Sequence, residues 1–228
     1  MKKLAIVSTH PIQYNAPWFA LLAAQWIDIK VFYTWSEAKE KVKDRTFGKE
    51  IKWDIPLLKG YNYEFVENIA KKPGSHHFYG IDCPTLINQI KEFEPDAILV
   101  FGWKFKSHLK VLRVFHGKIS VWFRGDSTLL DEQLGFKTFL RRQVLRWIYS
   151  HVDKAFYVGS ANKAYFLKHG LKESQLIYAP HAIDNGRFGD DSSKNYELQA
   201  NEWRERLGFK DQDLVVVFAG KFESKKQP

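Results

Sequence analysis

An α/β fold, a Rossmann-like parallel sheet with helices on both faces, is predicted by three observations. Short apolar runs recur along the chain, helical patterns lie between them, and the runs lack the strict polar alternation of strands that face water on one side. The runs are residues 4–7, 29–33, 97–101, 119–123, 155–158 and 214–219. With 45% hydrophobic and 16% aromatic residues in 228, the core is substantial and disorder is excluded.

The first run follows Lys2 and Lys3 and stops at Ser8, Thr9, His10 and Pro11, too short for a signal peptide, so it reads as a buried first strand. A helix over 16–25 follows, with Phe19, Leu22, Ala23 and Trp26 at helical spacing and Pro17 tolerated in the first turn. Between 36 and 79 the pattern weakens into loops with short strands near 51–53 and 63–66, a segment that either shapes a substrate cleft or lacks order by itself. An amphipathic helix over 86–93 ends before Pro95. The segment 136–151 is apolar at Phe136, Leu140, Val144 and Ile148 and basic at Lys137, Arg141, Arg142 and Arg146. It is either a core-packed surface helix or an interfacial membrane contact. A further helix starts near Ser160 as N-cap and stops at Gly170. Residues 1–185 thus read as one domain and 186–212 as linker and helix. Residues 213–228 read as the first strand and loop of a second domain in a longer protein, or as the last strand of the first.

Composition narrows the chemistry. Thirty-five Lys plus Arg against 26 Asp plus Glu give a net charge of +9, which favours anionic partners. The single Cys83 permits no internal disulfide or cysteine-rich zinc site, which points to the cytosol. No apolar run is long enough to span a bilayer. Walker, Gly-x-Gly-x-x-Gly and Gly-x-Ser-x-Gly patterns do not occur, which disfavours nucleoside triphosphatase, dehydrogenase and serine hydrolase chemistry. Nucleic acid is disfavoured too, because no recognition motif accompanies the basic stripe. His76 and His77 have no carboxylate or thiol at ligand spacing, so no metal site is expected there.

Candidate sites lie in the loops that follow strands, where ligands bind in open parallel sheets. After the first strand come His10, Gln13 and Asn15, either a cleft floor or a capped helix entry with Asn15 as N-cap. Trp103, after the run 97–101, either stacks on a sugar ring or belongs to the core. Arg124 and Asp126, after 119–123, hold phosphate, carboxylate or hydroxyl groups, or else pair with each other around Gly125.

Three stretches together resemble the group-four-like retaining glycosyltransferases of the GT-B architecture, built from two Rossmann-like domains. The first is Leu4-Ala-Ile-Val-Ser-Thr-His-Pro-Ile-Gln-Tyr-Asn-Ala-Pro-Trp18, similar to the opening of the acceptor domain. The second is Tyr157-Val-Gly-Ser160 through a helix to Gly170, then Ile177-Tyr-Ala-Pro-His-Ala-Ile-Asp184 and Phe188. The third, Phe218-Ala-Gly-Lys-Phe-Glu-Ser-Lys-Lys226, is similar to the family's Gly-Arg-Leu motif with a Lys a few residues on. The resemblance implies an N-terminal acceptor-binding domain and the start of a donor domain. It implies transfer of a hexose from a nucleoside diphosphate sugar to a glycan or lipid-linked acceptor, as in polysaccharide biosynthesis. Neither cofactor nor metal is implied, and the setting is the cytoplasm or the inner face of the membrane. Lys221 and Lys226 take the role of donor-diphosphate contacts, Lys221 without the planar fork of the usual Arg. The family's acidic pair falls beyond Pro228. The alternatives are a nucleotide-sugar epimerase of the same architecture and a stand-alone module for anionic lipid or nucleic acid.

Overall fold

The computed structural model describes residues 1–25, 27–35, 42–43, 50–51, 55–130, 132, 135–218 and 220. Strands β1 (Lys2–Ser8), β2 (Ile27–Tyr33), β5 (Asn62–Phe65), β6 (Ala97–Phe101), β7 (Ser120–Arg124), β8 (Lys154–Tyr157) and β9 (Leu176–Tyr178) form one sheet. Its order is β5-β2-β1-β6-β7-β8-β9, and every pairing is parallel. The chain thus winds outward one way from β1 and then the other way from β6, and the crevice beyond the carboxyl ends of the strands opens at that reversal. Two further strands, β3 (Val42–Lys43) and β4 (Glu50–Ile51), make a separate antiparallel pair.

Helices cover both faces, as expected, but unequally. One face packs Ala5, Val7, Phe32, Ile98, Val100, Val121, Phe123 and Ala155 against α2 (Leu86–Phe93), α3 (Lys106–Phe115), α4 (Phe136–Tyr149) and α5 (Ser160–Lys168). The other packs Leu4, Ile6, Ile29, Val31 and Leu99 against Phe19 of α1 (Ala16–Ala23) and against Tyr61. Register places Leu99 beside Trp122 and Arg124 beside Phe156 on this second face, where the aromatic rings remain only half-buried.

Several local features follow from the residues. Pro17 sits in the first turn of α1, where its missing N–H costs no hydrogen bond; Trp26 lies outside the described residues. Residues 55–82 are tied down by the Tyr33–Tyr61 hydroxyl pair at 2.7 Å and by Asn68, which donates to the Gly80 carbonyl and accepts from Asp82 N–H. At α5 the expected cap is corrected. Ser160 is the first helical residue and caps nothing, whereas the buried Asn162 accepts from Val158 N–H at 3.1 Å and donates to the Ser127 carbonyl at 2.8 Å. The long amide reaches back over the first turn and ties the loop after β7 to it, which a serine hydroxyl is too short to do. Past the end of α5, Gly170 has φ of 98°, and an added Cβ would lie 3.4 Å from Arg146. Gly170→Ala is expected to lower unfolding stability by about 1 kcal/mol in a denaturant titration.

Glu132 joins the helices of the larger core. It accepts from Arg142 at 2.8 Å, lies 3.3 Å from Lys168, and faces the buried His169 imidazole at 3.9 Å. The Arg142 and Lys168 cations hold its carboxyl down at about 2.

The chain divides into two compact units, Met1–Ile183 and Asp184–Pro228. The second holds α6 (Asn185–Phe188), N-capped by Asp184, and α7 (Tyr196–Arg206), whose following loop is closed by Arg204 donating to the carbonyls of Lys210 and Asp213. The strand expected at 214–219 does not form in its described part. Leu214 to Phe218 have no strand conformation, and Leu214, Val216, Val217 and Phe218 are exposed; a β-branched run becomes a strand only in a ladder with a neighbouring strand, and the ladders among the described residues do not include it. Lys221 and Lys226 lie outside the described residues.

Candidate functional site

A pocket of about 340 Å³ opens on the thinly covered face of the sheet, between α1 and the segment that follows β9. Its walls are apolar and aromatic: Leu99, Trp122 and Phe156 from the strands, Trp18 from α1. These side chains meet because alternate residues of parallel strands in register share a face. Polar groups gather at one end, where Tyr14 and Asn15 enter α1, Arg124 ends β7, and His181 follows β9. Flat apolar rings beside a few hydrogen-bonding groups suit a ligand with hydroxyls at its edges and carbon on its faces, as in a sugar.

Arg124 is held more firmly than the sequence suggests. Its guanidinium donates to the carbonyls of Ala179 at 2.9 Å and Pro180 at 3.2 Å, pinning the segment 179–182 that forms the pocket rim. Burial lowers its pKa and the Asp126 carboxylate opposes that shift through space. The fork therefore clamps backbone at the pocket's edge, and its hydrogen bonds go to these carbonyls and not to Asp126. Asn15 precedes α1, yet its side chain does not cap the helix; its Oδ1 accepts from the Trp18 indole at 3.3 Å, orienting one pocket wall.

The structure thus brings Asn15 and Arg124 into one pocket and leaves His10, Gln13, Trp103 and Asp126 outside its lining. His10 shares a 3.0 Å hydrogen bond with Thr9 and meets Trp35 edge-on, and burial lowers its pKa. Gln13 lies in the same loop with a buried Oε1 that lacks a hydrogen bond. Asp126 is exposed just beyond Arg124. Trp103 packs against the larger core and interacts with the Tyr149 hydroxyl, because Gly102, with φ of 70°, turns the chain away from the pocket.

A second polar group at the sheet's reversal escaped the sequence reading. His108 of α3 is fully buried; Nδ1 donates to the Phe101 carbonyl at 3.0 Å, with Gly102 at 3.2 Å, and Nε2 meets Thr34 Oγ1 at 2.8 Å. Two carbonyls at Nδ1 fix the proton there, so Nε2 accepts from Thr34. Burial lowers the pKa to about 4. Cys83 is likewise buried, its thiol pushed up to about 12, and is no nucleophile. Among the described residues no cluster of His, Cys, Asp and Glu is arranged to hold a metal.

No protein-family profile matches the chain, and no curated protein matches it in sequence. Solved structures do. HepE of Anabaena in complex with UDP and glucose superposes with a TM-score of 0.54 at 12% identity, covering 91% of this chain and 50% of that one. The same protein in complex with UDP-glucose gives 0.52 at 12% identity with the same coverage. UDP-GlcNAc 2-epimerase from Methanocaldococcus jannaschii gives 0.47 at 18% identity, over 78% of this chain and 45% of that one. The fold is the Rossmann-like fold of GT-B proteins, and the chain spans about half the length of the solved structures it matches.

Proposed function

We propose that this chain is the acceptor-binding domain of a retaining glycosyltransferase that moves a hexose from a nucleoside diphosphate sugar to a hydroxyl of a glycan or lipid-linked carbohydrate. The observation that carries the reading is the aromatic pocket on the thinly covered face of the sheet, with Asn15 and Arg124 at its polar end. The shared fold of HepE, solved with UDP and UDP-glucose, supports a sugar-nucleotide context. In this reading Trp122 and Phe156 take the face of the acceptor ring, Asn15 and Asp126 take hydroxyls, and His10 and Gln13 floor the cleft. Lys221 and Lys226 neutralise the leaving diphosphate. Catalysis is then chiefly positioning of acceptor against donor together with electrostatic relief of the leaving group.

The test is saturation-transfer NMR of the chain with a panel of oligosaccharides, followed by titration of the best binder. Trp122→Ala is expected to weaken that binding about fivefold, since ring stacking contributes on the order of 1 kcal/mol. Equal affinity in the variant removes the pocket from acceptor binding. In the full-length protein, epimerised nucleotide sugar formed without any acceptor would replace the transferase reading with the epimerase one.

A further inference from the structure

The larger core uses only one side of α4. Leu145, Ile148 and Tyr149 are buried in it, yet the opposite side is apolar as well. Phe136 is 75% exposed, Phe139 54%, Val144 52% and Trp147 45%, and Leu140 stands between them. An ordinary surface helix turns polar residues outward. On α4 the charged residues are instead displaced from the centre of that side, as Lys137, Arg141 and Arg146, the uncharged Gln143 stands exposed among the apolar side chains, and the helix contains no Asp or Glu. Arg113 of α3 stacks on the Trp147 ring at 5.3 Å, adding a cation beside the stripe.

We infer that the outer face of α4 docks on an anionic phospholipid bilayer. At 14 residues the helix is about 21 Å long, too short for a hydrocarbon core of about 30 Å, so it lies in the interface plane. Phe136, Leu140 and Val144 enter the acyl boundary, and Trp147 sits at headgroup depth as interfacial Trp does. The flanking cations meet lipid phosphates, and the absence of acidic residues along the helix removes any repulsion from them. A second copy docked through the same face would set Lys137, Arg141 and Arg146 near their own counterparts, so like charges oppose self-association there. The inference stands without the transferase reading, since vesicle binding and carbohydrate binding are measured separately.

The experiment is co-sedimentation of the full chain with vesicles of phosphatidylcholine alone and of phosphatidylcholine mixed with phosphatidylglycerol. Binding to the mixed vesicles only, weakening with salt, is expected. Phe136→Ser combined with Leu140→Ser should lower the partition coefficient about tenfold, with an unchanged thermal melt because both side chains are exposed. Lys137→Glu with Arg146→Glu should do the same without touching the apolar stripe. No binding to anionic vesicles at low salt overturns the inference, as does binding that survives both pairs of substitutions. Concentration-dependent dimerisation that disappears in the Phe136/Leu140 variant overturns it in favour of a second copy as occupant.

Discussion

Acidification from neutral pH to about 4 is expected to cost the Met1–Ile183 unit on the order of 3 kcal/mol through His108 alone. The sign follows from the buried, neutral imidazole. In the unfolded chain the ring takes up a proton near its ordinary 6.5, whereas in the folded protein it resists protonation until about 4. Its contribution is therefore complete above 6.5 and is lost as pH falls from 6.5 to about 4, below which both states carry the proton. His10 and His169 are also depressed by burial and act in the same direction, so the wild-type curve alone does not isolate His108. Glu132 acts lower, with stability lost as pH falls from 4.5 towards 2. His108→Gln separates them. Its amide can still donate to a carbonyl but does not titrate. Urea titrations across pH should show this variant about 2 kcal/mol less stable at pH 7, with a flatter slope between 6.5 and 4. Parallel curves for the two proteins would show that His108 is not the group that senses acid. The same bonds join Thr34 after β2 to Phe101 at the end of β6 and to Gly102 beyond it, so loss of His108 should also speed amide exchange at Gly102.

Why the strands were legible and the site less so comes down to register. A parallel strand buried on both faces is a continuous apolar run, and 97–101 was readable to the residue, with 119–123 displaced by one from Ser120–Arg124. Such a run does not reveal which of its residues share a face. Trp122 and Phe156 therefore gave no sign of lining a common pocket until the register Leu99–Trp122 and Arg124–Phe156 set them side by side. Helix α3 was missed because its buried stripe includes Ser107 and His108, polar residues that interrupt the apolar period. In α4 the spacing of four that links Phe136, Leu140, Val144 and Ile148 drifts by about 40° per step relative to the helix, so the row begins in solvent and ends in the core. Asn15 and Arg124 were legible because they end or follow strands. The role of Arg124 as a clamp was not, since its carbonyl partners lie 55 and 56 residues away.

Arg124→Ala is expected to weaken oligosaccharide binding about tenfold and to lower stability by about 2 kcal/mol. The side chain contributes to both because it stands at the pocket's polar end while fixing the rim through Ala179 and Pro180. Without the fork, the Pro180 carbonyl, already exposed, turns to water at little cost, whereas the partly covered Ala179 carbonyl loses a charge-assisted partner. The segment 179–182 then gains freedom that a ligand must remove on binding, which adds an ordering cost to the lost contact. Arg124→Lys distinguishes the two contributions. A single ammonium supplies the positive charge but does not present two donors in one plane, so it cannot hold both carbonyls in the same geometry. If the clamp dominates, Lys restores little affinity, and amide exchange at Ala179, whose N–H donates to the Tyr157 carbonyl at 2.9 Å, stays fast in both variants. If direct charge on the ligand dominates, Lys restores most of the affinity while exchange remains fast. Unchanged affinity and unchanged exchange in Arg124→Ala would remove Arg124 from the site and leave the aromatic wall of Trp122 and Phe156 to account for binding alone.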